Sequence, residues 1–162
     1  EGDNLESIIE KNIRSAKSRI WIAVFDFDLV RTAQELVLQK SRGIDVRVQV
    51  NKQEADSLSA APWSFLKKFQ NLGETEKSEA LKILENAGIP VRDNSQGKGS
   101  SGLMHHKFLI IDEQIVVTGS ANLTESDIHG DIENPDSRGN ANSLLVFNSA
   151  PLAPELHLRE KP

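Results

Sequence analysis

Five residues between positions 105 and 122 have side chains that can do chemistry together: His105, Lys107, Asp112, Ser120 and Asn122, in the run HHKFLIIDEQIVVTGSAN. The run is apolar between its polar ends, so we read residues 106–111 and 115–118 as strands joined by a tight turn at 112–114. Side chains two apart on a strand share a face. His105 and Lys107 therefore point together, followed by Leu109 and Ile111, while His106, Phe108 and Ile110 face the other way. A nucleophilic imidazole beside a fixed cation suits a phosphodiester, whose single negative charge needs offsetting as phosphorus becomes five-coordinate. Ser120 and Asn122 follow the second strand and open a turn or helix start, where side-chain donors and free N–H groups can hold phosphate oxygens. Asp112 has the opposite parity to His105, which marks it as a structural or hydrogen-bonding residue at the turn. Outside such a setting, a His-Lys pair on a strand is most often just a solvated edge.

The spacing decides against that bland reading. His105-x-Lys107, four residues, Asp112, six residues, Gly119-Ser120-x-Asn122 resembles the signature of the phospholipase D superfamily at six specified positions. Chance agreement is on the order of one in a million, which makes this a strong motif. Looser likeness extends over nearly the whole chain, through FDFD at 25–28, KSRGIDVRV at 40–48 and NSLLVF at 142–147. The resemblance implies a phosphodiesterase whose catalytic signature is His105, Lys107 and Asp112, with Lys107, Ser120 and Asn122 binding phosphate. It further implies a phosphohistidine on His105, a second histidine as general acid and then base, and no metal or other cofactor. The sequence also departs from the pattern. In single-motif bacterial nucleases a glutamate before the last strand orients the nucleophile, and Ala141 stands there in this chain. Asn140, Asn142 or an acid from the 124–140 loop are the candidates to replace it.

Several elements must position these residues. Asp3 and Glu6 are spaced as a capping box for a first helix over 4–17. Arg19 to Phe27 is apolar on both parities, as a central strand covered on both faces would be. Thr32 and Glu35 start a second helix that Gly43 ends, and Ile44, Val46, Val48 and Val50 alternate with polar residues as a second strand. That β-α-β order implies parallel strands. Residues 51–74, with Trp63, suggest a short helix and loop. A third helix over 76–87, a short strand over 89–92, a glycine-rich loop over 94–102 and a last strand over 143–147 complete the chain. The expected fold is α/β, a mixed and mainly parallel sheet with helices on both faces, in one domain spanning 1–162.

The chain has 162 residues, 38% apolar and 27% charged, enough for a packed core. Without cysteine it has no disulfide or thiolate zinc site. No apolar run reaches the roughly 20 residues that span a bilayer. Net charge is −5, the wrong sign for a simple nucleic-acid binder. Much of it sits in one loop, where Glu125, Asp127, Asp131, Glu133 and Asp136 face Arg138 alone. His129 lies in this loop and reads as a surface residue by default, while His157-x-Arg159 lacks the rest of a second motif. The first residue is Glu1 and the chain stops at Pro162 soon after the last strand, so we expect a processed or excised piece, exported if a signal segment preceded it.

The leading expectation is hydrolysis of nucleic-acid phosphodiesters. A phospholipid substrate is the alternative and predicts an apolar surface near Leu103, Met104 and Trp63. A non-catalytic binding module is the third reading, favoured by Ala141 and the acidic loop and opposed by the intact motif. One motif supplies one histidine, so a homodimer or a second motif-bearing domain is expected to supply the other.

Overall fold

A computed structural model describes residues 4–51, 78–93, 104–130, 136 and 141–148. The elements run α1 (Leu5–Arg14), β1 (Arg19–Val24), α2 (Val30–Ser41), β2 (Asp45–Val50), α3 (Glu79–Asn86), β3 (Val91–Asp93), β4 (Lys107–Ile111), β5 (Ile115–Gly119), α4 (Glu125–Ile128) and β6 (Leu144–Asn148). The expectations for 51–74 and for the 94–102 loop concern residues that, Asn51 apart, lie outside the described ones, as do Leu103, Asn140 and His157. Among the described residues no helix is long and apolar enough to cross a membrane.

The six strands form one sheet in the order β3-β2-β1-β4-β5-β6. β1, β2 and β3 pair in parallel, as the β-α-β pattern implies. β4 then lies antiparallel to β1, β5 to β4 and β6 to β5. The sheet is mixed as expected, but its antiparallel pairings outnumber the parallel ones rather than the reverse. Part of the cause is local: β4 and β5 are joined by the tight turn at 112–114, and strands joined so closely pair antiparallel.

Alternation sorts the strands onto two faces. Ile20, Ile22, Val24, Val46, Val48, Val50, Leu109, Ile111 and Val117 join Ile9 and Ile13 of α1, Ala33 and Leu36 of α2, and Leu81 and Leu84 of α3 in the main core. Trp21, Ala23, Phe108, Ile110 and Val116 form a smaller cluster on the other face, with Phe147 against it. β1 is therefore buried on both sides, as its unbroken apolar run implies. Helices were expected on both faces; the three longer described ones all pack on the first.

Two helix starts differ from the capping reading. Asn4, not Asp3, caps α1, accepting from the Ser7 N–H at 3.0 Å. Glu6 is buried instead, where it takes the Thr32 hydroxyl at 3.2 Å and lies 2.8 Å from Nε2 of His129. Thr32 thus lies inside α2, which starts at Val30 without a side-chain cap. Both acids take distant partners that spacing does not reveal: Glu35 accepts from Arg14 at 2.9 Å as well as from nearby Gln39 at 2.7 Å.

Candidate active site

The site lies where the parallel strands end, at the carboxyl end of β1 and the start of β4. β1 runs antiparallel to β4 with Val24 opposite Lys107. Ligands of open α/β sheets gather at such strand ends. His105 and Lys107 sit together there as parity requires, with Lys107 Nζ 3.1 Å from Nε2 of His105. An ammonium only donates, so Nε2 is placed to accept from it. Phe25, next after β1, meets the His105 ring edge-on at 5.3 Å between centroids, and Lys107 Nζ lies 5.7 Å from the same phenyl centroid. A ring face offers the ammonium favourable charge without a competing anion. His106 faces away and packs on Phe108.

β5 brings the rest of the motif alongside. A crevice there is lined by Val24, Lys107, Gly119, Ala121, Leu123 and Leu144. The motif glycine has a steric reason: a Cβ at Gly119 would collide with the Ser143 carbonyl where β6 crosses. Ser120 donates its hydroxyl to Asn142 Oδ1 at 2.8 Å and accepts from the Ser143 N–H at 3.0 Å. The Asn122 N–H donates to the carboxylate of Asp127 at 2.8 Å, while Asn122 Oδ1 is buried with no hydrogen-bond partner. Such an atom is uncommon in a folded protein, and among the described residues the side-chain amide of Asn51 shares the condition.

The segment after the motif is held from β1. Leu123 bridges Phe27, with the N–H groups of Asp28 and Leu29 both donating to its carbonyl. The carboxylate of Asp28 accepts from the Glu125 N–H at 2.7 Å and so fixes the start of α4. Burial pushes the Asp28 carboxyl up; the Glu125 N–H opposes this, and the charges of Asp26, Glu125 and Asp127 add to it. The FDFD run thus supports the site from behind. His129 is exposed, as expected of a surface residue, and its ring also reaches buried Glu6 at the far end of α4.

Asp112 stands as its strand parity implied, outside the catalytic role its place in the signature suggests, and two further expectations need correction. Asp112 belongs to the signature but not to the site: it lies at the opposite end of β4. Its carboxylate accepts from the N–H groups of Lys17, Ser18 and Arg19 and from the Ser18 hydroxyl, all within 2.8–3.0 Å. Asn142 does not orient His105; its amide spans Ser120 and the Asp127 carbonyl, the latter at 2.8 Å. Met104, a candidate for apolar surface, is buried at 4% exposure. The residue that the motif did not single out is Asp127. Thr124 caps α4 and accepts from the Asp127 N–H, so Thr124-x-x-Asp127 was a capping signal available in the sequence.

Burial pulls the Lys107 ammonium below the ordinary lysine value, and the charge of Asp127 opposes that pull. Among the described residues no three His, Asp or Glu side chains are grouped to hold a metal.

A family profile described as "Cardiolipin synthase, PLD-like domain" matches residues 9–157. The chain belongs to this family, and so to the phospholipase D superfamily. The Mitochondrial cardiolipin hydrolase of Homo sapiens is 27% identical over 133 residues, 82% of this chain and 44% of the relative. The Xenopus laevis protein of that name is 30% identical over 132 residues, 82% of this chain and 52% of the relative. The chain thus spans about half the length of these relatives. Among solved structures, Nuc from Salmonella typhimurium, a phospholipase D family member, superposes with TM-score 0.64 at 24% identity, over 95% of this chain and 82% of Nuc. The phosphatidylserine synthase of Haemophilus influenzae Rd KW20 superposes with TM-score 0.55 at 19% identity, over 98% of this chain and 34% of that one. At these identities the superpositions speak to fold alone.

Proposed function

We propose that this chain is a single phospholipase D-like domain that hydrolyses phosphodiesters through a phosphohistidine on His105. The observation that carries the reading is the His105–Lys107 pair, with the Nε2 lone pair facing an ammonium at 3.1 Å and the Gly119–Asn122 turn beside it. An arriving phosphate draws the ammonium onto its own oxygens and frees the lone pair. Nε2 then forms a bond to phosphorus, and the bond from phosphorus to the leaving oxygen breaks as that oxygen takes a proton from a second histidine. Water next attacks phosphorus, gives its proton to that second histidine, and the N–P bond breaks to restore His105. Lys107 and Asn122 offset the phosphoryl charge, with Ser120 shaping the turn, so the chemistry requires no metal.

The second histidine comes from another motif. A two-fold axis through the site supplies it from a second copy, with residues 105–107 and 119–122 of both chains near the centre. Edge strand β6, beside that surface, exposes Leu145 at 63% and Val146 at 44%, which fits burial of this edge in an assembly. A further domain with its own motif fills the role equally.

Nucleic acid is the leading substrate, because the sequence pattern of this small single-motif chain resembles that of the bacterial nucleases. A phospholipid is the second reading, and the names of the cardiolipin hydrolase relatives favour it. The test is one assay with EDTA present, offering single-stranded DNA, RNA, a bis-aryl phosphodiester, phosphatidylcholine and cardiolipin. Turnover of the aryl diester and of either nucleic acid supports the leading reading; turnover of lipid alone moves the substrate to the second. Activity that EDTA abolishes and a divalent metal restores would overturn the mechanism.

A further inference from the structure

Asp127 lies outside the motif, yet it touches both arms of the phosphate cradle. Its carboxylate holds the Asn122 N–H at 2.8 Å. Its backbone carbonyl holds the Asn142 amide at 2.8 Å, and Asn142 in turn holds the Ser120 hydroxyl at 2.8 Å. Asp127 is itself fixed through α4, capped by buried Thr124 at one end and tied by His129 to buried Glu6 at the other.

We propose that Asp127 is the positioning residue of this site: one carboxylate and one carbonyl set Asn122 and, through Asn142, Ser120 in the phosphate cradle. The proposal rests on the phosphodiesterase reading. It assigns Asp127 no contact with the reacting atoms. An acid is otherwise a poor neighbour for a phosphate, since like charges repel. Here its carboxylate is engaged by the Asn122 N–H. Burial lowers the Lys107 pKa, and the charge of Asp127 opposes that shift without cancelling it. The other acids at this corner are Asp26, Asp28 and Glu125, and Asp28 is engaged with the Glu125 N–H. By holding the Asn122 backbone, Asp127 leaves the side-chain amide of Asn122 free of structural duty.

The test compares Asp127→Asn, Asp127→Ala and, as a charge control on the same helix, Glu125→Gln. Two readouts need no turnover: the side-chain NMR titration of Lys107 and hydrogen exchange at the Asn122 amide. Lys107 should titrate at lower pH in both Asp127 variants and stay put in Glu125→Gln. Asn122 exchange should rise about tenfold in Asp127→Ala and less in Asp127→Asn, whose amide oxygen still accepts. In turnover, Asp127→Asn should retain most kcat near neutrality while its alkaline limb moves to lower pH. If Asp127→Ala does not fold, the Lys107 titration in Asp127→Asn decides. An unmoved Lys107 titration in Asp127→Asn, or an equal shift in Glu125→Gln, overturns the proposal. Full activity in His105→Ala would instead sink the phosphodiesterase reading while leaving these NMR outcomes interpretable.

Discussion

The two ends of β4 carry the polar residues of one sequence motif and treat them in opposite ways. At the turn end, Asp112 accepts four hydrogen bonds from Lys17, Ser18 and Arg19, and Glu113 pairs with Arg19 at 2.6 Å. At the other end, Nε2 of His105 has only the Lys107 ammonium, and Asn122 Oδ1 is buried without a partner. Both ends are equally part of the signature. The satisfaction of their polar groups separates them: a saturated carboxylate stabilises the fold, and the groups at the other end keep unused hydrogen-bonding capacity.

The comparison breaks most sharply at His105. His105→Ala should lower turnover by roughly ten-thousandfold or more while the melting temperature holds, because a nucleophile is lost and no core contact is. His106→Ala, on the opposite face, should be far milder. Equal losses in the two variants would mean that the other face of the strand carries the chemistry.

Asp112 should give the mirror result. Asp112→Ala should cost about 2 kcal/mol of stability through its backbone hydrogen bonds, with activity per folded molecule preserved. Burial works against the Asp112 charge, but the N–H groups of Arg19, Lys17 and Ser18 and the Ser18 hydroxyl outweigh it and hold the carboxyl below its usual range. Its contribution is therefore complete above the ordinary carboxylate pKa and is lost as the pH falls through the folded-state value. Acid titration of stability in wild type and in Asp112→Asn measures this: the variant should lose the acid-sensitive part. A catalytic collapse in a stable Asp112→Ala would overturn the division between the two ends.

The smallest expected effect is in the pH profile of turnover. Lys107 must be charged, and burial lowers its pKa, so the alkaline limb should begin below the ordinary lysine value. Lys107→Arg should move that limb upward, because a guanidinium stays charged. A limb that did not move would assign it to another group.

The same contrast explains what was legible in the sequence. Elements whose partners are nearby or whose pattern is periodic could be read: the alternation of 44–50, the apolar run of β1 and the hairpin 107–119 all stand where expected. The face shared by His105 and Lys107 followed from parity alone. Residues whose partners are remote could not be read. Glu6 fits a capping box by spacing, yet it is buried against Thr32 and His129, 123 positions away. Asn142 is near His105 in motif logic and bonded to Ser120 in space. α4 is a single polar turn with no periodicity to detect, so Asp127 was marked only by its capping distance from Thr124.

The sheet also has a kinetic consequence. Its parallel side comes from residues 19–93 and its antiparallel hairpin from 107–119, and the strand pairing that joins them is that of β1 with β4, which sets Val24 opposite Lys107. Hairpins close in microseconds, whereas a pairing so distant in sequence must first overcome the entropy of a long loop. The four hydrogen bonds of Asp112 to residues 17–19 staple that late pairing at its far end. Substitution of Asp112 should therefore act on the rate at which the two halves join, and the His105 pocket, seated on the seam, should be among the last features of the molecule to form.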